Sequence, residues 1–224
     1  MSKDLRAVRG VLFDMDGTLY DSESTSIFAW AVAGREYGLS IPRRFMVECI
    51  GLPTRDIEEK FYKELSRDID YKEFRARKLK VMSDIIESAG VDFKPGVHEM
   101  LACIKKLGLL SAVVTSTTTS RALYNLKAGG ILESFDTVVS GDMVKKGKPA
   151  PDCYILAAKK LGLKTSECLV AEDSRNGILA ASAAGCVSVL IPDILEPDSD
   201  MLAAADYVKK DLTELAELLE GAQR

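Results

Sequence analysis

Val11-Leu12-Phe13-Asp14-Met15-Asp16-Gly17-Thr18 is a short apolar run that stops at two carboxylates spaced i, i+2. Continuous β-prone residues between Gly10 and Gly17 predict a buried strand, with Asp14 where that strand ends. In an open parallel sheet the carboxyl ends of the strands border the ligand crevice, so an acid there faces a site rather than the core. A carboxylate in that place can act as a nucleophile, and a second acid nearby can protonate a leaving oxygen and later deprotonate water. The competing reading is a polar Asx turn without chemistry. Residues at the other strand ends decide between the two.

Downstream of this strand, from about Asp21 to Asp92, the pattern is helical throughout. Asp21-Ser22-Glu23 offers an N-cap for a helix reaching Gly38. Pro42 opens another, Gly51-Leu52-Pro53-Thr54 breaks it, and Ile57, Phe61 and Leu65 recur at i, i+4 and i+8. A longer helix is predicted from about Tyr71 to Ala89, stopped by Gly90. The α/β alternation resumes at Pro95-Gly96, with strands predicted at 109–114, 135–139, 168–171 and 187–191, separated by helices, and a closing amphipathic helix after Asp211. Strands alternating with helices of this length require a parallel sheet with right-handed crossovers. The expected fold is therefore α/β, a doubly wound parallel sheet formed by residues 1–20 and 93–224, with an all-α insertion at 21–92.

Every strand of such a sheet has its C-terminus on one edge, so Asp14, Thr115, the Lys148 loop and Asp173 are expected to converge. Between them they supply a nucleophile, a hydroxyl donor, a fixed cation and carboxylates for a metal. Phosphoryl transfer is catalysed mainly by positioning and by neutralising charge on the transferring oxygens, which needs that set. Each residue also has a plainer reading: Thr115 as a helix N-cap, Lys148 as a solvated loop lysine. Adjacent acids at Glu172-Asp173 are harder to explain structurally, because like charges side by side are costly without a cation.

The first stretch resembles the Asp-x-Asp-Gly-Thr signature of the haloacid dehalogenase superfamily, whose phosphatases and mutases form an aspartyl-phosphate. Three further segments resemble the remaining signatures in the same order: Val113-Val114-Thr115-Ser116, Gly147-Lys148-Pro149-Ala150-Pro151-Asp152 and Val170-Ala171-Glu172-Asp173-Ser174-Arg175-Asn176-Gly177. The resemblance spans essentially the whole chain. It implies a Rossmann-like core, Asp14 as nucleophile, Asp16 as general acid/base, Thr115 and the Ser116 N–H on the phosphate, and Lys148 holding both phosphate and nucleophile. Mg²⁺ is the implied cofactor, a hard ion content with carboxylates, waters and a phosphate oxygen. Asp14 and Asp173 would bind it by side chain, Asp16 by its backbone carbonyl, and Glu172 directly or through water; no His or Cys cluster supports zinc.

The helical insertion resembles the α-helical cap of the branch containing phosphoglycolate phosphatase and β-phosphoglucomutase. Arg55 sits where that branch often places a cationic cap residue, and Arg77 is a second candidate; two cations would suit a small anionic or polyhydroxylated phosphate ester. The sugar-phosphate mutases carry a His about twelve residues after the nucleophile, and Ser26 stands there in this chain. The only histidine, His98, is expected on an exposed helix face. Hydrolysis is therefore expected over mutase chemistry. A dehalogenase is disfavoured by Asp16 and the Glu172-Asp173 pair, and a non-catalytic binding protein by retention of both Asp14 and Asp16.

Composition bounds the partners. The chain has 224 residues, 47% hydrophobic and 29% charged, with a formal net charge of −4. That balance argues against nucleic acid and anionic membrane. Five scattered cysteines, Cys49, Cys103, Cys153, Cys168 and Cys186, form no Cys-x-x-Cys pair, and fit a reducing, cytoplasmic setting. Lys3, Arg6 and Arg9 precede the first apolar run as in an export signal, but Asp14 and Asp16 interrupt it. A monomer acting on a small-molecule phosphate ester is expected.

Overall fold

The computed structural model describes residues 3–52 and 54–223. The chain divides into two compact units, one formed by Met1–Asp21 and Asp92–Arg224, the other by Ser22–Val91. Within the first unit the Asp21 N–H donates to the Asp92 carbonyl at 2.9 Å. The backbone thus leaves and re-enters the unit side by side.

The larger unit is a parallel six-stranded sheet. Its strands are β1 (Gly10–Phe13), β2 (Leu110–Val114), β3 (Thr137–Val139), β4 (Cys168–Glu172), β5 (Val187–Leu190) and β6 (Tyr207–Val208), in the order β3-β2-β1-β4-β5-β6. This is the doubly wound order expected of the sequence, with the reversal point between β1 and β4 where open α/β sheets place their ligands. Strands β1, β2, β4 and β5 owe their legibility in the sequence to burial on both faces, which makes them continuous apolar runs. Phe13, for example, lies between Val113 and Ala171 in register. The edge strand β6 and the six-residue helix at Ser199–Ala204 are absent from the sequence reading, being too short to show a period.

Helices α5 (Val97–Leu107), α6 (Thr119–Ala128), α7 (Asp152–Lys160), α8 (Arg175–Ala184) and the closing Leu212–Ala222 cross between or flank the strands. Glycines 108 and 185 stop α5 and α8 in the left-handed conformation that favours glycine, and the Asp211 side chain caps the closing helix by accepting from the Glu214 N–H. One apolar layer joins Leu12, Val114 and Val170 of the sheet to Tyr154 and Ala157 of α7 and Ala181 of α8. Small alanines let the two helices lie close to the strands. His98 is exposed on α5, its ring 4.8 Å from that of Phe93. All five cysteines are buried free thiols.

The smaller unit consists of α1 (Ser22–Glu36), α2 (Arg43–Glu48), α3 (Thr54–Glu64) and α4 (Tyr71–Ala89). Pro53, part of the expected break before α3, lies outside the described residues. Aromatic rings make its core: Phe74 meets Phe61 at 5.0 Å and Trp30 at 5.2 Å, and Trp30 meets Phe45 edge-on at 5.6 Å. Such large, rigid surfaces let a short helical unit bury enough apolar area to hold together. Among the described residues, no helix is long and apolar enough to cross a membrane.

Candidate active site

Asp14 follows the last residue of β1, and its N–H still donates to the Ala171 carbonyl of β4 at 3.0 Å. Sheet hydrogen bonding thus fixes the backbone that carries the candidate nucleophile. The chain then folds tightly: Gly17 N–H donates to Tyr20 C=O at 2.8 Å, and the Leu19 and Tyr20 N–H groups both reach the Met15 carbonyl at 3.0 Å. Gly17 has φ +87°, and a Cβ there would collide with the Asp173 carboxylate, so both conformation and space demand glycine. Thr18, next in line, donates its hydroxyl to Asp173 Oδ1 at 2.9 Å. The Gly-Thr of the opening stretch therefore serves to seat Asp173, the acid that follows β4. No spacing argument within one strand could have shown that.

Thr115 follows β2 and is almost fully buried. It is not the cap of α6, a position held by Thr118; its hydroxyl oxygen instead accepts from the Thr117 N–H at 3.1 Å and tightens the turn. Ser116 is exposed. A brace the sequence reading missed supports this turn from the loop after β3. Asp142 accepts from the Thr119 N–H at 3.1 Å, the Thr119 hydroxyl at 2.8 Å and the Ser140 hydroxyl at 2.6 Å, and those donors hold its pKa down at about 2. The Gly141 N–H adds a bond to the Thr117 carbonyl at 2.8 Å. The only sequence signal was a polar Ser-Gly-Asp after a strand.

Lys148 is no solvated lysine. Its side chain is 5% exposed and its ammonium donates to Asp14 Oδ1, to Glu172 Oε1 at 2.7 Å and to the Val114 carbonyl at 3.0 Å. Three strand ends, those of β1, β2 and β4, are thereby tied to one cation. Burial works against the charged ammonium, but Asp14 and Glu172 outweigh it and hold the Lys148 pKa well above the ordinary lysine value. Glu172 is fully buried and fully engaged: Oε1 also accepts from the Tyr154 hydroxyl at 2.9 Å, while Oε2 accepts from the Ser174 N–H and hydroxyl, each at 2.9 Å. Tyr154 lies six residues beyond Lys148 on α7, a partnership visible only in three dimensions.

The acids remain a concentration of negative charge. Burial, then the Glu172 and Asp16 charges, raise Asp14 despite the opposing pull of Lys148. Burial, Glu172 and Asp14 likewise push Asp173 well above the carboxylate range, against the Thr18 hydrogen bond. Asp14, Glu172 and Asp173 each offer an oxygen, all within 4.8 Å of one another. Three hard oxygen donors, two of them the raised carboxyls of Asp14 and Asp173, and one neighbouring ammonium fit a hard divalent cation.

Arg55 and Arg77 belong to the helical unit, and each is engaged within it. Arg77 grips Glu36 bidentately, both contacts at 2.6 Å; Arg55 pairs with Glu59 one turn on, at 3.0 Å, with its side chain 85% exposed. Ser26 Oγ accepts from Lys78 Nζ at 2.7 Å, and that ammonium lies 5.0 Å from the Trp30 ring centroid. Burial pulls the Lys78 pKa down to about 8. Lys78, which like Arg77 bonds to a residue of α1, is not singled out by the sequence analysis.

Residues 11–191 match the family of haloacid dehalogenase-like hydrolases. The chain belongs to that family. It is 35% identical over 179 residues to hexitol phosphatase A of Escherichia coli, covering 80% of each chain. With the phosphorylated carbohydrates phosphatase of Thermotoga maritima it shares 31% identity over 182 residues, 80% of this chain and 82% of the other. A crystal structure of a haloacid dehalogenase family hydrolase from Deinococcus radiodurans, with bound phosphate and sodium, superposes with a TM-score of 0.80 at 26% identity, covering 97% of each chain. The resemblance drawn from the four sequence segments holds over residues 11–191, including the branch of phosphatases and β-phosphoglucomutase-like structures.

Proposed function

We propose that the protein is a Mg²⁺-dependent phosphatase that hydrolyses a small phosphate monoester, a sugar phosphate or polyol phosphate, through a phosphoryl group carried on Asp14. The supporting observation is Lys148, buried and bonded at once to Asp14 and Glu172 beside Asp173. A lysine that neutralises a nucleophile while three acids gather round it suits transfer of a dianionic group and little else.

In this reading Asp14 attacks phosphorus as the ester P–O bond breaks, and Asp16 gives its proton to the departing alkoxide. Water then loses a proton to Asp16 and attacks phosphorus, the Asp14–phosphorus bond breaks, and inorganic phosphate leaves. Lys148 restrains Asp14 through Oδ1 and offsets charge on the transferring oxygens, while Glu172 holds Lys148 in place. Thr115 and Ser116 would bind the phosphate oxygens from a turn braced by Asp142. Asp14 and Asp173 would hold Mg²⁺ by side chain, with Asp16 contributing its carbonyl and Glu172 adding charge beside them. When bound, the ion supplies Lewis-acid stabilisation of the phosphoryl oxygens.

The α/β unit is read as the catalytic core and the helical unit as the specificity-setting cap. Arg55 is the better placed of the two arginines to meet an anion, because an exposed i, i+4 pair is worth only about 0.3–0.5 kcal/mol and Glu59 can be displaced. Arg77 is read as a strut to Glu36. The carbohydrate and hexitol phosphatases similar to this chain support the substrate class, and Ser26, bonded to Lys78 where the mutases carry histidine, supports hydrolysis over internal transfer. The test is phosphate release from a panel of sugar, polyol and nucleotide phosphates, run beside conversion of β-glucose 1-phosphate to glucose 6-phosphate. Release should need Mg²⁺, stop in EDTA and vanish in Asp14→Asn; full activity in EDTA, or efficient isomerisation, would overturn the reading.

A further inference from the structure

Beyond β5 the chain passes through Ile191 and Pro192 to Asp193. Strands β4 and β5 pair in parallel with Glu172 opposite Leu190, so Asp193 leaves the sheet on the same edge as Asp173, one strand away. Its side chain is only 9% exposed. Oδ1 accepts from Lys94 Nζ at 2.5 Å. Oδ2 is buried and, among the described residues, has no hydrogen-bond partner.

An unsatisfied buried carboxylate oxygen is costly, and native folds keep few of them without a use. The cost is compounded here, because Asp193 is close enough to Asp173 to add to the repulsion that raises it. Lys94 holds the acid in this unfavourable spot and is itself anchored, its N–H donating to the Leu19 carbonyl at 3.0 Å. Leu19 belongs to the tight loop that carries Asp14 and Asp16. The pair thus links that loop to the end of β5, and it spends its ammonium on one carboxylate oxygen while leaving the other bare.

Mg²⁺ dehydrates reluctantly and keeps several waters when bound by one or two carboxylates. Those waters need acceptors. We propose that Asp193, held by Lys94, is a positioning residue whose free Oδ2 accepts a hydrogen bond from a water carried by the metal between Asp14 and Asp173. The proposal rests on the cation reading given above, and it adds a fifth acid to the four assigned from the motifs. Loss of partners that orient a metal's ligands lowers affinity about 10–100-fold, which sets the scale of the effect.

The test is calorimetric titration of MgCl₂ into wild type, Asp193→Ala, Asp193→Asn and Lys94→Met, with thermal unfolding in EDTA confirming that each variant folds. Mg²⁺ affinity should fall about 10-fold or more in Asp193→Ala, less in Asp193→Asn, which keeps an acceptor, and least in Lys94→Met, which keeps the carboxylate. At saturating Mg²⁺ the kcat of Asp193→Ala should return towards wild type. Wild-type affinity in Asp193→Ala would overturn the proposal. So would equal losses in Lys94→Met and Asp193→Ala, the mark of a merely structural pair. Failure of the wild type itself to bind Mg²⁺ would sink the cation reading first, and is told apart by that control.

Discussion

Lys148→Met tests the electrostatic core of the site, because methionine keeps the buried stem and removes only the charge. Asp14 and Glu172 lose their shared cation, and Asp14, Glu172 and Asp173 remain within 4.8 Å of one another. Removing one partner of a buried ion pair costs about 3–5 kcal/mol. Glu172 retains three donors, from Tyr154 and Ser174, and Asp14 can take up a proton, so the lower end applies. About 3 kcal/mol corresponds to a fall in Tm of about 6–12 °C for a chain of this size. The loss must also depend on pH. With the cation gone, Asp14 and Asp173, already raised by burial, stay protonated to higher pH in the folded than in the unfolded state, so the folded protein binds more protons and stability falls as pH rises through the raised values. In EDTA the Tm gap between wild type and Lys148→Met should therefore be smaller near pH 6 and widen as pH rises through about 8, the value to which Asp14 is already raised in the wild type. The kcat of the variant should drop about 10²–10³-fold, the scale for loss of one fixed donor to a developing anion. An unchanged Tm, or a gap constant across pH, would show that Lys148 does not neutralise the acids and would refute the reasoning.

The wild type should show the same dependence in weaker form. Asp14, pushed up to about 8 chiefly by burial, contributes stability that is complete below the ordinary carboxylate pKa and is lost as pH rises through the folded value; without Mg²⁺ the Tm should fall from pH 5 to pH 8.5, and saturating Mg²⁺ should flatten that slope. Gly177→Ala should destabilise the protein by about 1–3 kcal/mol, because a Cβ at 177 would overlap the Glu172 carboxylate; a Tm and kcat equal to wild type would show that Glu172 can move without consequence for Lys148.

The sheet and its active edge were legible because each depended on a signal confined to one segment. Buried parallel strands appear as unbroken apolar runs, and Asp14, Lys148 and Asp173 stand at the ends of such runs or in the loops that follow. What the sequence did not disclose depended on pairs distant along the chain. Thr18 appeared as the end of a motif, and only the fold shows its hydroxyl on Asp173, 155 residues away. Tyr154 looked like a core residue of α7 and is also a donor to Glu172. Arg77 looked available to a ligand until Glu36, 41 residues earlier, was found in its fork. Periodicity reports burial, whereas the partner of a buried polar group is set by tertiary packing.

The site's stability and its proposed chemistry then follow from one excess of charge. Wherever two acids must be gathered beside a nucleophilic carboxylate, a single lysine leaves the cluster net negative, and the fold lowers that cost with donors: Tyr154, Ser174 and Thr18. It does not remove it, as the raised Asp14 and Asp173 show. Any divalent cation that enters therefore gains twice, from its oxygen ligands and from the repulsion it relieves, and a phosphate dianion becomes welcome only once it has entered. Metal first and substrate second is the order this electrostatics favours. Filling the site with hydrogen-bond donors until no repulsion remained would make a more stable apo protein with less to gain from the cation.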